Sequence, residues 1–594
     1  MDFKTKIDLK PSDDFTRVYL SPREISKVGM LRKLVKEKYL ALDWKQTPNG
    51  LSLDPFDAAQ IYPLSFLGAN IQPTPEIVQM LKNRSGVLER SSSIKRNLLH
   101  IVEGGVTKSK EFLYDVDGLA TLDDHQWVNV AGMTLPDSYG LALFDEQGAG
   151  KTVSTIFAYD VLVSRDEVDF ALIIAPKSMV PEWENDFHKF KGGVYVVKKL
   201  TGSRKDKILT LRNGADIFIT NYETIIALEN EIIALARRYD GRSVLIIDES
   251  FFVKNLDAKR TLAIKRAREW FGRTFVLCGT PAPNSPFDIV EQFNIVDFGV
   301  AFRGVELPES KEEALPVIQN IIEEKGIYLR HLKKDVLPDL PVKRFQKIFV
   351  EMEPLQADLY NNTLRGLISD LETTSDLEFF KNIGSFLAKR MALLRICSNP
   401  SGIISTYSES PAKLVALDEI LYELIEKQGE KVVLWSFFQA SIQGIVSRYQ
   451  SKYNPVRYDG TISDIEIRRN YVKRFQEDDS TMLFVGNPAA AGAGLTLHRA
   501  RFAIYESLSN QAAHYLQSLD RIHRRGQLGD VEYLILLCEN SIEINEYARL
   551  EEKEASGREL LGDGIDKSIT RESMLVEAME LIRTLVVCSI SNLT

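Results

Sequence analysis

Cysteine is scarce: four residues in 594, at Cys278, Cys397, Cys538 and Cys588, with no CxxC spacing among them. That pattern excludes a disulfide scaffold or a zinc module and fits a reducing compartment, so the cytoplasm is the expected location. Long apolar runs are missing as well, and none nears the roughly 20 residues that span a bilayer. The opening residues from Met1 to Asp8 mix charges of both signs and lack the apolar stretch of a signal peptide. Short-period repeats and low-complexity tracts are absent. There is no excess of positive charge, with 74 Lys and Arg against 83 Asp and Glu and a net charge of −9. Taken alone, that balance argues weakly against nucleic acid. What is there is the composition of an ordinary globular protein, 44% hydrophobic and 26% charged. A chain of this length exceeds one core, so about three or four domains are expected.

The average charge hides an asymmetry. Residues 1–110 carry 18 Lys and Arg against 12 Asp and Glu, a net of +6, which leaves −15 for the rest. Clusters such as Arg32, Lys33, Lys36 and Lys38 suit either a solvated helix face or a DNA-contacting patch. Residues 1–118 are read as a separate N-terminal module. Within it Ser21-Pro22-Arg23-Glu24 has the form of a capping box with proline at the first helical position. Ile25, Val28, Leu31, Val35 and Tyr39 then recur at helical spacing and predict an amphipathic helix. Thr74-Pro75-Glu76 opens a second helix, with Gly86 as a stop.

From Leu122 to Asp297 the texture becomes short β-rich runs alternating with helical stretches. Ala171–Ala175, Asp216–Thr220, Val244–Asp248 and Phe275–Gly279 each read as a buried parallel strand ending in a polar or small residue. Ligands bind at the carboxyl ends of such strands. Residues 301–410 are charged and helical in pattern, a connector with no obvious sheet. A second alternation follows at Val432–Ser436, Thr481–Gly486, Phe502–Tyr505 and Val531–Leu537. The expected division is 1–118, a first lobe at 119–300, the connector at 301–410, a second lobe at 411–560 and a helical tail at 561–594. The fold class is therefore α/β, with two parallel-sheet lobes in tandem.

Three segments carry chemistry. The run Phe144-Asp-Glu-Gln-Gly-Ala-Gly-Lys-Thr152 lies between a strand-like Leu141–Phe144 and a helix-like Val153–Ala158. A glycine-rich turn in that setting closes backbone N–H groups around phosphate oxygens. Gly148, Ala149 and Gly150 form the cradle, Lys151 reaches the β/γ-phosphates, and the Thr152 hydroxyl ligates Mg²⁺. Asp145 stands where the usual pattern begins with glycine. Val244–Asp248 is an apolar strand ending in two carboxylates: Asp248 as the metal-holding acid and Glu249 as the general base that polarises the attacking water. Arg521 and Arg524 are three apart, so on a helix they share a face. They suit arginine fingers that neutralise charge developing on the γ-phosphate.

In this order the segments resemble the Swi/Snf-like ATPases of helicase superfamily two. Leu122-Asp-Asp-His125-Gln126 looks like the adenine-recognising segment of that family, which implies Gln126 as a base contact. Asp145–Thr152 resembles motif I, where the family has Asp at the first position. Ile174-Ala-Pro-Lys177-Ser178 with Trp183 resembles motif Ia, and Ile219-Thr220-Asn-Tyr222-Glu223 motif Ib. Asp248-Glu249-Ser-Phe251 resembles motif II, and Gly279–Ser285 motif III. Tyr328–Pro341 looks like the interlobe connector. Leu394–Pro400 with Lys413-Leu414 resembles the start of the second lobe, and Tyr458-Asp459-Gly460 motif IVa. Ala491-Gly492-Ala-Gly494-Leu-Thr-Leu497 resembles motif V, and Gln517–Gln527 motif VI. The resemblance covers roughly 120–555. Phe251 stands where many relatives carry His, and His125 where an aromatic often precedes the glutamine. None of the histone-reading modules that flank chromatin remodellers is found.

The resemblance implies two RecA-like lobes, ATP and Mg²⁺ as cofactors, and double-stranded or branched DNA as the partner. It points to Lys177, Ser178, Thr220 and Gly492 as DNA-backbone contacts and to Gly494 as a further nucleotide contact. The leading expectation is a DNA-dependent ATPase that translocates on duplex DNA. A strand-separating or branch-acting DNA or RNA helicase is the first alternative. A nucleotide-gated DNA-binding subunit of a larger restriction or defence assembly is the second, with residues 1–118 as the surface for a protein partner.

Overall fold

The structure, a computed structural model, describes residues 6–38, 42–61, 70–114, 118–282, 285–462, 464–490, 495–508, 512–556, 575–576 and 578–579. The chain divides into two compact units, Met1–Val336 and Leu337–Thr594. Among the described residues no helix is long and apolar enough to cross a membrane.

The first unit opens with a five-stranded sheet. Its strands are β1 (Lys6–Pro11), β2 (Val18–Pro22), β3 (Trp44–Thr47), β4 (Gly50–Leu53) and β5 (Asn70–Pro73), in the order β3-β4-β2-β1-β5. β1 and β5 run parallel and the other pairs antiparallel. Ile7, Leu9, Val18, Leu20, Leu51 and Leu53 form its core with Leu31, Val35, Ile77 and Met80 of two covering helices. The expected helix start at Ser21-Pro22 is corrected. Pro22 is the last residue of β2, opposite Ile7, a strand-end position where a missing N–H is tolerated. The α-helix runs Val28–Lys38 behind a short 3₁₀ turn at Ile25–Lys27, and Ile25 is 80% exposed. Tyr39 lies outside the described residues. The second helix, Pro75–Arg84, is where the sequence places it, capped by Thr74 Oγ1 on the Ile77 amide.

This small sheet is not set apart at residue 118. The helix Val87–Phe112 packs against the helix Asp124–Met133, and its Val87, Ile94, Leu98 and Ile101 share one core with Leu141, Ile156 and Phe275. Arg84 makes a two-pronged ion pair with Glu269, both contacts at 2.7 Å and both side chains buried. The expected boundary therefore falls inside a shared core.

Seven parallel strands follow in the same unit: β6 (Gly140–Leu143), β7 (Phe170–Ile174), β8 (Val197–Lys199), β9 (Ile217–Thr220), β10 (Ser243–Asp248), β11 (Arg273–Leu277) and β12 (Tyr328–Leu329). Their order is β12-β6-β11-β10-β7-β9-β8. β6, β7, β9, β10 and β11 are buried along their whole length, as their continuous apolar runs require. The second unit holds β13 (Lys343–Val350), β14 (Val432–Trp435), β15 (Val456–Tyr458), β16 (Leu483–Gly486), β17 (Phe502–Tyr505) and β18 (Val531–Cys538). All six are parallel, in the order β13-β18-β17-β14-β16-β15. Two parallel α/β sheets in tandem make a pair of RecA-like lobes.

The sheetless connector expected at 301–410 is corrected, since it holds two strands. β12 extends the first sheet beside β6, and β13 pairs along all eight of its residues with β18. β13 is an edge strand of mostly exposed, basic and aromatic residues, which is why it reads as a charged stretch rather than as a strand.

Candidate nucleotide site

β6, β11 and β10 are neighbours, so the turns after β6 and β10 open side by side at one edge of the first sheet. The turn after β6 holds Gly148 and Gly150 at φ 89° and 88°, conformations that favour glycine. Gly150 caps the helix Lys151–Ser164, whose first amides face the turn. A Cβ on Gly150 would strike Nε2 of Gln126, so the Gln126 side chain lies directly over the cradle. Gln126 Oε1 accepts from the Asp123 amide at 3.0 Å and closes a capping box. His125 Nε2 donates to Ala149 O at 2.7 Å. Thus both residues of the expected adenine segment meet the phosphate turn.

Asp145 explains the missing glycine. Its side chain is fully buried; Oδ2 accepts from Asn129 Nδ2 at 2.6 Å and Oδ1 from the His331 amide at 2.8 Å. Lys151 is buried with Nζ donating to Asp145 O at 2.8 Å, so its amine lies folded onto its own loop. Thr152 is half-buried at the first turn of the helix.

At the end of β10, Asp248 Oδ2 accepts from Trp183 Nε1 at 2.8 Å and Oδ1 from the Glu249 amide at 3.0 Å. Burial pushes the Asp248 carboxyl above the ordinary range, while the Trp183 hydrogen bond and the Lys151 charge oppose it. Glu249 adopts a left-handed backbone, φ 53°, a strained conformation of the kind concentrated at working sites. Its Oε1 accepts from Gln147 Nε2 at 3.3 Å, which ties the candidate base to the phosphate turn. Tyr222 OH donates to Asp248 O at 2.6 Å, and burial raises its phenol well above the usual value. Lys151, Asp248 and Glu249 are therefore brought together. Phe251 stacks on Phe252, while Ser250 Oγ donates to Gln292 Oε1 at 2.5 Å. Gln292 Nε2 in turn donates to Pro281 O at 2.6 Å, joining the segments after β10 and β11.

The remaining candidates scatter. Lys177 is exposed and Ser178 half-buried after β7, whereas Thr220, at the end of β9, is only 1% exposed. Gly492 and Gly494 lie outside the described residues. Arg521 and Arg524 belong to the second unit and are not on a helix, a further correction. The helix Ala512–Leu519 ends before them. Arg521 turns back, Nε donating to Gln517 O at 2.9 Å, an arginine satisfying a last-turn carbonyl. Both guanidinium groups still converge on Leu495 O, at 3.3 Å for Arg521 and 3.0 Å for Arg524.

The sequence placed Trp183 with motif Ia, Tyr222 in motif Ib and His331 in the connector without a contact at this site, and it singled out nothing at Asn129. Asn129 follows Gln126 by three, which on a helix puts the two on one face, and that was the available signal. Trp183 and His331 reach the site only through tertiary contacts.

Residues 76–402 match the SNF2-related domain and residues 412–526 the helicase conserved C-terminal domain. The likeness thus starts some way before residue 120, where the motifs begin. An uncharacterized ATP-dependent helicase of Mycoplasma pneumoniae is 26% identical over 74% of this chain and 42% of its own. The DNA repair and recombination protein RAD54-like of Gallus gallus is 26% identical over 77% of this chain and 68% of its own. The chain therefore spans less than half of the first of these relatives. Among solved structures, the Sulfolobus solfataricus SWI2/SNF2 ATPase core in complex with dsDNA is 21% identical, covering 75% of this chain and 98% of that one at a TM-score of 0.33. With more than half of its length in the first domain and a helicase conserved C-terminal domain after it, the chain belongs to the SNF2-related family.

Proposed function

We propose that the chain is a DNA-dependent ATPase that moves along double-stranded DNA and remodels DNA structures or protein–DNA complexes. The observation that carries this is the meeting of Lys151, Asp248, Glu249 and Gln126 around one glycine turn at the end of a parallel sheet. In this reading Lys151 leaves Asp145 O for the phosphate oxygens. Thr152 and Asp248 are the residues that would hold Mg²⁺, which supplies positive charge to the phosphates. Glu249 takes the proton of the water that attacks the γ-phosphorus, releasing ADP and phosphate. Arg521 and Arg524 are candidates for neutralising the developing charge.

DNA as the substrate is supported by the repair and recombination role named for the chicken relative. Backbone contacts carry little sequence information, so such a motor moves over any sequence. The N-terminal sheet, joined to the first lobe through Arg84 and Glu269, is then the element that selects a DNA structure or a protein partner.

The test is ATP hydrolysis by the purified chain without nucleic acid, with single-stranded DNA, with duplex DNA and with structured RNA. Duplex stimulation that Lys151→Ala abolishes is the expected result. Normal hydrolysis by that variant would sink the reading, and greater stimulation by RNA or single strands would replace it with a strand-separating helicase.

A further inference from the structure

The phosphate turn is joined to the segment that leads out of the first unit. β12 pairs with Ala142 and Leu143 of β6, and the pairing continues past the strand ends. Phe144 N donates to Leu329 O at 2.8 Å and Glu146 N to His331 O at 2.9 Å. Lys333 N returns a hydrogen bond to Glu146 Oε2 at 2.8 Å. His331 gives two more, from its amide and from ring Nδ1, both to Asp145 Oδ1 at 2.8 Å. The first two residues of the turn are thereby fastened to residues 329–333, and the unit ends at Val336.

On the ATP-binding reading, one contact of this arrangement changes when nucleotide enters. With Lys151 Nζ on Asp145 O, the amine itself braces the start of the loop. An amine drawn to phosphate gives up that contact. Asp145 is then held by Asn129 on one carboxylate oxygen and His331 on the other. His125, its ring centroid 5.6 Å from that of His331, fixes the far side of the turn through Ala149 O.

We propose that His331 is a positioning residue of the nucleotide site: its Nδ1–H holds the Asp145 carboxylate so that the phosphate turn keeps its shape after Lys151 departs, and it carries that shape into the connector. The proposal rests on the ATP-binding reading above. It adds a residue from outside the phosphate turn and the segment after β10, and a hydrogen-bonded link from the site to residues 329–333 that does not pass through Phe251.

The test compares His331→Leu, which lacks a donor, with His331→Asn, whose Nδ2 can stand near the place of Nδ1. Amide hydrogen exchange of the peptide spanning 143–150 is measured without nucleotide in a Lys151→Ala background, where the amine no longer braces Asp145 O, and KM and kcat for MgATP are measured separately in the chain that keeps Lys151. His331→Leu is expected to exchange faster and to raise KM by roughly tenfold, the scale of one hydrogen bond to a buried carboxylate, with kcat changed far less. His331→Asn is expected to restore both readouts to within about twofold, a rescue that a mere packing role would not give. Unchanged exchange and KM in His331→Leu would overturn the proposal. So would an asparagine variant as impaired as the leucine one. A wild-type chain that hydrolyses no ATP would defeat the proposed function instead, while the exchange comparison would still decide whether His331 holds the turn.

Discussion

Both units bury charged clusters at the ends of their sheets, and they put them to different uses. In the second unit Lys413 Nζ sits between Glu543 Oε1 at 2.7 Å and Glu506 O at 2.6 Å. The Glu506 carboxylate is taken by Ser398 at 2.6 Å and Ser436 at 2.7 Å, and Glu543 Oε2 accepts from the Cys538 amide at 2.9 Å. Cys397, Cys538 and Glu543 have ligand atoms within 4.8 Å of one another, the spacing of a metal site. Lys413 already supplies the positive charge there, and burial keeps the Cys397 thiol protonated, far from the thiolate a metal needs. The cluster is closed on itself. In the first unit Lys151 rests on a backbone carbonyl of its own loop, beside a carboxyl whose ionisation burial disfavours and the proposed base, Glu249, whose backbone is strained. A buried charge with a complete set of partners is structure, whereas one with an exchangeable partner beside a glycine turn is chemistry.

The sharpest way to break this contrast is Glu249→Gln. The amide keeps the shape of the carboxylate and its place beside Gln147, so the melting temperature is expected to move by less than about 2 °C. ATP hydrolysis is expected to fall by about 10²–10⁴, the usual contribution of a general base, while nucleotide binding persists. A variant that melts early yet hydrolyses normally would reverse the assignment of chemistry to the first unit.

Lys413→Met should do the opposite. Removing one partner of a buried ion pair leaves Glu543 charged and unpaired, a loss of about 3–5 kcal/mol in stability of the second unit by urea titration. The double variant Lys413→Met/Glu543→Leu is expected to recover most of it, because both charges are then gone. If the single variant loses less than about 1 kcal/mol, the cluster is not the structural element its closed hydrogen bonding indicates.

The same contrast sets how far the sequence can be read. β10 and the glycine turn were legible because a fully buried strand has to be apolar throughout and a phosphate cradle has to have glycine where φ is positive. β13 was not, since an edge strand rich in Lys and Arg carries neither alternation nor an apolar run. Pro22 suggested a helix start because proline serves both the first helical turn and the end of a strand. The spacing of Arg521 and Arg524 suggested a helix face, while their convergence comes from a turn that returns both to Leu495 O. The use of Asp145 was out of reach, because Asn129 and His331, its partners, stand 16 residues before it and 186 after.

The smallest effect separates an anchored carboxylate from a merely buried one. Burial raises the Asp248 carboxyl, with the Trp183 indole and the Lys151 ammonium pulling it back down. Because its value in the fold lies above that of the unfolded chain, ionising Asp248 works against folding. Its contribution is most favourable at pH below the unfolded value and is lost as pH rises towards the folded one. Trp183→Phe keeps the ring and removes the donor, so the carboxyl should rise further. The ionised form is the one that would hold Mg²⁺, and the acid limb of the kcat/KM profile should therefore move to higher pH. About one pH unit is the expected shift, the worth of one hydrogen bond to a charged group, with hydrolysis approaching that of the unaltered chain on the alkaline side. An unmoved acid limb with uniformly lower activity would mean that Trp183 only packs against β10, and that Asp248 is anchored by its neighbours' backbone instead.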